Sequence, residues 1–241
     1  MSRLLERLDR RVLLGAFVFV ASAALLAAGV LSVLSAVTDD PVDLPHEGTL
    51  DSILSDSIDP DGTSALPDET EQLPAIPPVR VTIQRLHIDA PIIALGTDED
   101  RVPLVPQSGD EVAWYTFSSA PGAGNTVLSG HVDWQTRDGQ PIPGAFYRLR
   151  ELQLGDEIDM LLEDGSTVRY RVTGNVAADF DDPNVLKAIG PTSKDVVTLI
   201  TCGGTWFNDP SRAYGGSYSH RILVRAERMP GAVADASLNL D

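Results

Sequence analysis

Residues 12–37 read VLLGAFVFVASAALLAAGVLSVLSAV, a run of 26 residues without a single charge. A bilayer is spanned by a helix of roughly 20 apolar residues, and the apolar core of a cleaved signal peptide is about 7–15 long. Length therefore favours an uncleaved transmembrane anchor, even though Ala21-Ser22-Ala23 and Leu34-Ser35-Ala36 offer the small residues of a cleavage site. Arg3, Arg7, Arg10 and Arg11 precede the run, and Asp39, Asp40 and Asp43 come after it, with no Lys or Arg before Arg80. The positive-inside bias then predicts a cytoplasmic segment at residues 1–11 and places everything after residue 37 outside the cell membrane. The first expected partner is the lipid bilayer, through residues 12–37. Any globular domain has to be built from residues 38–241.

Residues 38–78 hold 11 acidic side chains, no Lys or Arg, and seven prolines. Such a segment has too little apolar surface to offset the entropy of ordering, and its charge and proline content extend it. The composition predicts a disordered extracellular stalk, with His46 a solvated side chain and at most a short amphipathic turn at residues 50–54. The whole chain carries a formal charge of −17 and no basic stripe, which excludes nucleic acid as a partner.

From residue 79 the texture changes. Short β-favouring runs at 79–83, 86–88, 91–94, 102–105, 113–117, 126–129, 157–162, 167–176, 196–201 and 222–226 are separated by Gly and Pro. Helical patterns are few and short, at 145–152 and 185–189. Many short strands with few helices predict a mainly β domain over residues 79–228, a barrel or sandwich, followed by a flexible tail at 229–241.

The strand at 196–201 ends at Cys202, the only cysteine of the chain, and Gly203-Gly204 come next, where the backbone is expected to turn. A lone cysteine is as often a small buried hydrophobe as a nucleophile. A second apolar strand ends in Gly130-His131, 71 residues upstream. A cysteine needs a base or cation nearby to reach the thiolate, and an imidazole supplies that. Arg221 opens the last strand and is placed to set guanidinium donors on a developing oxyanion, with Arg212 a second candidate. His220 is a rival base, and His87 sits in an apolar stretch as a structural histidine. Trp134, Trp206, Phe207 and Tyr218 lie near these positions in sequence and are candidates to line a groove for an apolar peptide.

Taken together these residues resemble the sortase family. Thr198-Leu199-Ile200-Thr201-Cys202 is similar to the TLxTC signature, Ser129-Gly130-His131 to the catalytic-histidine segment, and Phe146-Tyr147-Arg148-Leu149 with Leu152 and Gly155-Asp156 to the run between them. The stretch from Asn125 to Asp133, with Cys202-Gly203-Gly204, looks most like the class F sortases of actinobacteria. The resemblance implies an eight-stranded sortase-type β-barrel with short helices, behind one transmembrane helix and a stalk. It implies a cysteine transpeptidase in which Cys202 attacks the Thr-Gly bond of an LPxTG-like sorting signal on a surface protein. His131 would move the protons, Arg221 would steady the oxyanion, and Thr201 would assist it. The product would be joined to a cell-wall amine acceptor, and no metal or organic cofactor is implied. An L,D-transpeptidase or peptidase, or an anchored β-domain that only binds surface proteins or wall polymer, are the competing readings.

Overall fold

The computed structural model describes residues 44–45, 49–57, 76–211 and 215–234, with side chains up to residue 230. The expected anchor at 12–37, the segment 1–11, His46, Arg212 and Tyr214 lie outside the described residues. No helix among the described residues is long and apolar enough to cross a membrane.

Eight strands close into a barrel. β1 (Pro78–Ile83), β2 (Ile88–Leu95), β3 (Val112–Tyr115), β4 (Asn125–Gly130), β7 (Glu157–Leu162), β8 (Thr167–Asp179), β9 (Val196–Asn208) and β10 (Gly216–Ala234) are hydrogen-bonded in the order β1-β2-β3-β4-β9-β10-β8-β7. The β2–β3 and β4–β9 pairs are parallel and the other pairs antiparallel. A separate two-stranded ribbon, β5 (Asp133–Gln135) and β6 (Pro141–Pro143), comes after β4. Closure leaves no free edge along the wall.

Successive side chains of a strand point to opposite faces. On β9, Val197 and Leu199 enter the barrel interior beside Leu128 of β4 and Val224 of β10. Thr198 and Ile200 point outward, yet both are largely covered, Ile200 by Leu223 and Val127 and their neighbours. This outer cover explains why 196–200 reads as a continuous apolar run rather than an alternating one. The cover includes helix α2 (Asn184–Ala188).

It also includes part of the expected stalk. Residues Leu50–Leu54 form helix α1, and Ile53 is 1% exposed against Val176, Ala178, Val185, Ala188 and Leu223. Ser57 bridges to Thr192, and Asp56 pairs with Lys194 at 3.2 Å. The expectation of a disordered stalk over 38–78 is thus corrected at 49–57, where the short amphipathic turn allowed at 50–54 is a helix docked on the barrel: the apolar Leu50, Ile53 and Leu54 repeat at helical spacing and match an apolar strip there.

Other local expectations change for identifiable reasons. Residues 102–105 form only an isolated bridge between Thr97 and Pro103, since Pro103 and Pro106 cannot donate to a ladder. Residues 145–152 form turns and a short 3₁₀ segment, Leu149–Glu151, instead of a helix. The Asn175 side-chain amide donates to the carbonyls of Leu149, Arg150 and Leu152, which removes the need for helical partners there. His87 is exposed and left-handed (φ 56°) at the end of the 3₁₀ turn Gln84–Leu86, not inside a strand. The last strand runs on to Ala234, pairing Val233 with Val168, past the expected start of the tail at 229.

Candidate active site

Three adjacent strands meet on the outer face of the barrel wall, and only β4 ends there: Cys202 and Arg221, expected at the end of one strand and the start of the last, lie within β9 and β10. Cys202 lies directly opposite Arg221 in the β9–β10 register. On the other side, β4 runs parallel to β9 with Ser129 beside Ile200. Continuing that register by two residues brings His131 level with Cys202. The Thr201 hydroxyl, 4% exposed, donates to the Gly130 carbonyl at 2.8 Å and ties β9 to the end of β4. Its hydrogen is therefore committed to holding the segment that carries His131.

Gly203 and Gly204 do not end β9, which continues to Asn208 and pairs with β10 in a ribbon beyond the barrel. The expected turn is instead a bulge. Gly204 has φ 77°, and the register shifts so that Gly204 and Thr205 of β9 stand opposite the single residue Ser219 of β10. Ser219 accepts the Thr205 amide at 3.0 Å.

His131 is held at ring and backbone. Its carbonyl accepts the Phe146 amide at 2.9 Å, and Nε2 lies 2.9 Å from the Pro106 carbonyl. A carbonyl only accepts, so Nε2 carries the hydrogen and donates, and Nδ1 has no hydrogen-bond partner among the described residues. The Trp134 ring packs on the imidazole with centroids 4.7 Å apart. The chain passes so near at Gly144 that any Cβ there would collide with the His131 carbonyl.

Arg221 is half-buried. Its Nη1 donates to the carbonyls of Tyr218 and His220, at 3.2 and 3.0 Å, and its Nη2 to the Ser217 hydroxyl at 3.3 Å. Burial pushes the Cys202 thiol above its ordinary pKa; the Arg221 charge pulls it back down, and the Asp133 charge adds to the rise. His220 points to the opposite face of β10, where it lies 3.4 Å from Asp179. It does not line the cleft.

The cleft holds about 540 Å³ and is lined by Cys202 and His131 together with Trp134, Trp206 and Tyr218. Phe207, expected in the same groove, instead packs on Phe180 with ring centroids 5.2 Å apart, because it alternates to the other face of the ribbon from Trp206. Two residues with no role in the sequence reading also line it. Pro106 contributes only a backbone carbonyl, which no sequence pattern marks. Asp133 accepts the Tyr218 hydroxyl at 2.5 Å, linking β5 to β10.

A closed eight-stranded barrel that gathers a thiol, an imidazole and a guanidinium at one level of adjacent strands fits a cysteine acyl-transfer architecture. The Sortase domain model matches residues 81–229, well over half of the chain, and the protein belongs to the sortase family, whose members are cysteine transpeptidases. Among solved structures it is similar to a lid mutant of Streptococcus agalactiae sortase C1 (26% identity, 63% of this chain and 67% of that one, TM-score 0.44). It is similar to sortase C-1 of Actinomyces oris (27%, 63% and 72%, 0.43) and to Listeria monocytogenes sortase A (19%, 68% and 94%, 0.45). A comparison with curated protein sequences finds no match.

Proposed function

We propose that the chain is a membrane-anchored sortase that cleaves an LPxTG-like sorting signal between Thr and Gly and joins the released carboxyl to a cell-wall amine. The observation that carries this reading is the convergence of Cys202, His131 and Arg221 at one level of three adjacent strands. Cys202 attacks the threonine carbonyl, and Arg221 stabilises the oxyanion that develops. His131 takes the Cys202 thiol proton on Nδ1, the nitrogen not engaged with Pro106, passes it to the leaving amine, and later takes a proton from the incoming one. The thioester on Cys202 links the two halves. Trp206 and Tyr218, with rings 5.3 Å apart edge to face, supply apolar wall for the Leu-Pro portion. The uncharged run at 12–37 with arginines before it supports a single-pass anchor with a cytoplasmic N-terminus and an extracellular domain. The stretch from Asn125 to Asp133 supports placement among the class F enzymes.

The test is mass spectrometry of the full chain in detergent, incubated with an LPxTG peptide with and without glycinamide. A mass step on Cys202 equal to the acyl fragment, discharged into a ligated product by the amine, supports the reading. No adduct, together with a Cys202 inert to iodoacetamide, overturns it in favour of an anchored binding domain.

A further inference from the structure

The cleft holds one carboxylate among its described lining residues, and the chemistry of the first half-reaction gives it no use. Asp133 stands two residues after His131 at the start of β5. The Tyr218 hydroxyl donates to Oδ2 across the cleft, while Oδ1 has no hydrogen-bond or ion-pair partner among the described residues. A half-buried carboxylate oxygen left open in this way is a site for a cationic donor. While the sulfur is free, Asp133 opposes the thiolate. Once Cys202 is acylated the sulfur carries no charge and that opposition ends. The species that must enter next is an amine, which is an ammonium in neutral water.

We propose that Asp133 is an acceptor-specificity residue, whose open carboxylate oxygen holds the ammonium of the incoming amine beside the Cys202 thioester. Tyr218 positions the carboxylate by its hydrogen bond. This rests on the sortase reading. In the step itself the amine C–N bond forms and the thioester C–S bond breaks. Of the three ammonium hydrogens, one stays on the product amide and one passes through His131 to the Cys202 sulfur. The third leaves to solvent, and nothing is oxidised or reduced.

Asp133→Asn removes the charge while keeping the side-chain volume and an oxygen that accepts from Tyr218. The full chain, acylated by an LPxTG peptide at pH 7, is compared with two amines: glycinamide, which enters as a cation, and hydroxylamine, which is uncharged. The expected result is a fall of about tenfold in the ratio of kcat/KM for glycinamide to that for hydroxylamine. Asp133→Ser is expected to lower the same ratio, so a folding defect peculiar to one variant does not decide the matter. An equal loss with both amines assigns Asp133 to structure and overturns the proposal, as does an unaltered ratio. A wild-type chain that forms no thioester overturns the sortase reading and this inference together; a thioester with an unaltered ratio overturns this inference alone.

Discussion

Replacing Arg225 by Met is expected to make this barrel more stable. Arg225 faces outward from β10, opposite Thr198, and is 3% exposed under α2. One guanidinium nitrogen, Nη2, donates to the Ala188 carbonyl at 2.9 Å, while Nε and Nη1 are buried without a partner among the described residues. Burial drives its pKa down from the ordinary guanidinium value to about 10, against the pull of Asp56 and Glu227. That depression corresponds to roughly 3 kcal/mol of destabilisation at neutral pH. The sign comes from the group being a base. Its charged form is disfavoured in the folded state, so the cost is fully present below about pH 10 and is relieved as pH rises through that value. Met fills a similar length with a flexible apolar chain. It forfeits the bond to Ala188, worth about 1.5 kcal/mol, but that carbonyl keeps the Asn125 amide at 3.1 Å. The balance is a gain of about 1–2 kcal/mol, or a Tm rise of about 2–8 °C for a domain of this size. Thermal unfolding of wild type and Arg225→Met at pH 7.5 is the assay. A Tm that falls would refute the reasoning, and would mean that the buried donors are satisfied in the native protein.

Three further outcomes are expected. Thr201→Val keeps the β-branched shape but removes the hydroxyl that ties Gly130 to β9. Stability should fall by about 1 kcal/mol, while peptide cleavage falls about tenfold or more because His131 loses its register with Cys202; a loss in Tm with full turnover would contradict this. The rate of Cys202 alkylation by iodoacetamide should rise with a midpoint above that of free cysteine, and Arg221→Met should move the midpoint higher still, since burial raises the thiol pKa and Arg221 lowers it. A midpoint at or below the free-thiol value counts against the burial argument. Ile53→Asp should release residues 49–57 from the barrel, costing about 2 kcal/mol of apolar burial, seen as faster amide exchange at 50–54 with β9 still protected; unchanged exchange there would rule the docking out.

The strands that carry the site are legible because their burial is written in local composition. β4 and β9 are covered on both faces, so they read as apolar runs, and the apolar run of each leads straight into the residue that matters. What sequence does not convey is the purpose of the glycines. Gly203 suggests a turn of the chain, yet β9 continues through it, and a Cβ there would lie 2.7 Å from the Ile222 side chain. Its smallness serves packing between strands that are distant in sequence. The helix expected at 145–152 is absent for a similar reason: its carbonyls are taken by Asn175, a contact set by the fold and not by the segment. Sequence proximity groups Phe207 with the groove aromatics and does not show the alternation that sends it to Phe180.

The same dependence on fold explains the roles of Asp133 and Tyr218. They are 85 residues apart, and each is unremarkable alone. β4 delivers Asp133 just past His131, and the bulge at Gly204 and Ser219 shifts the register that carries Tyr218 over the cleft. The barrel therefore fixes Cys202, His131 and Arg221 on its rigid wall, while two ribbons that leave the wall, β5–β6 and the far ends of β9–β10, are linked above them by the Tyr218–Asp133 hydrogen bond. In this arrangement the wall sets the bond-making geometry and the ribbons set what enters. Changes in the ribbons should alter which peptide and which amine are used while leaving the wall's chemistry in place, and changes such as Thr201→Val should do the reverse.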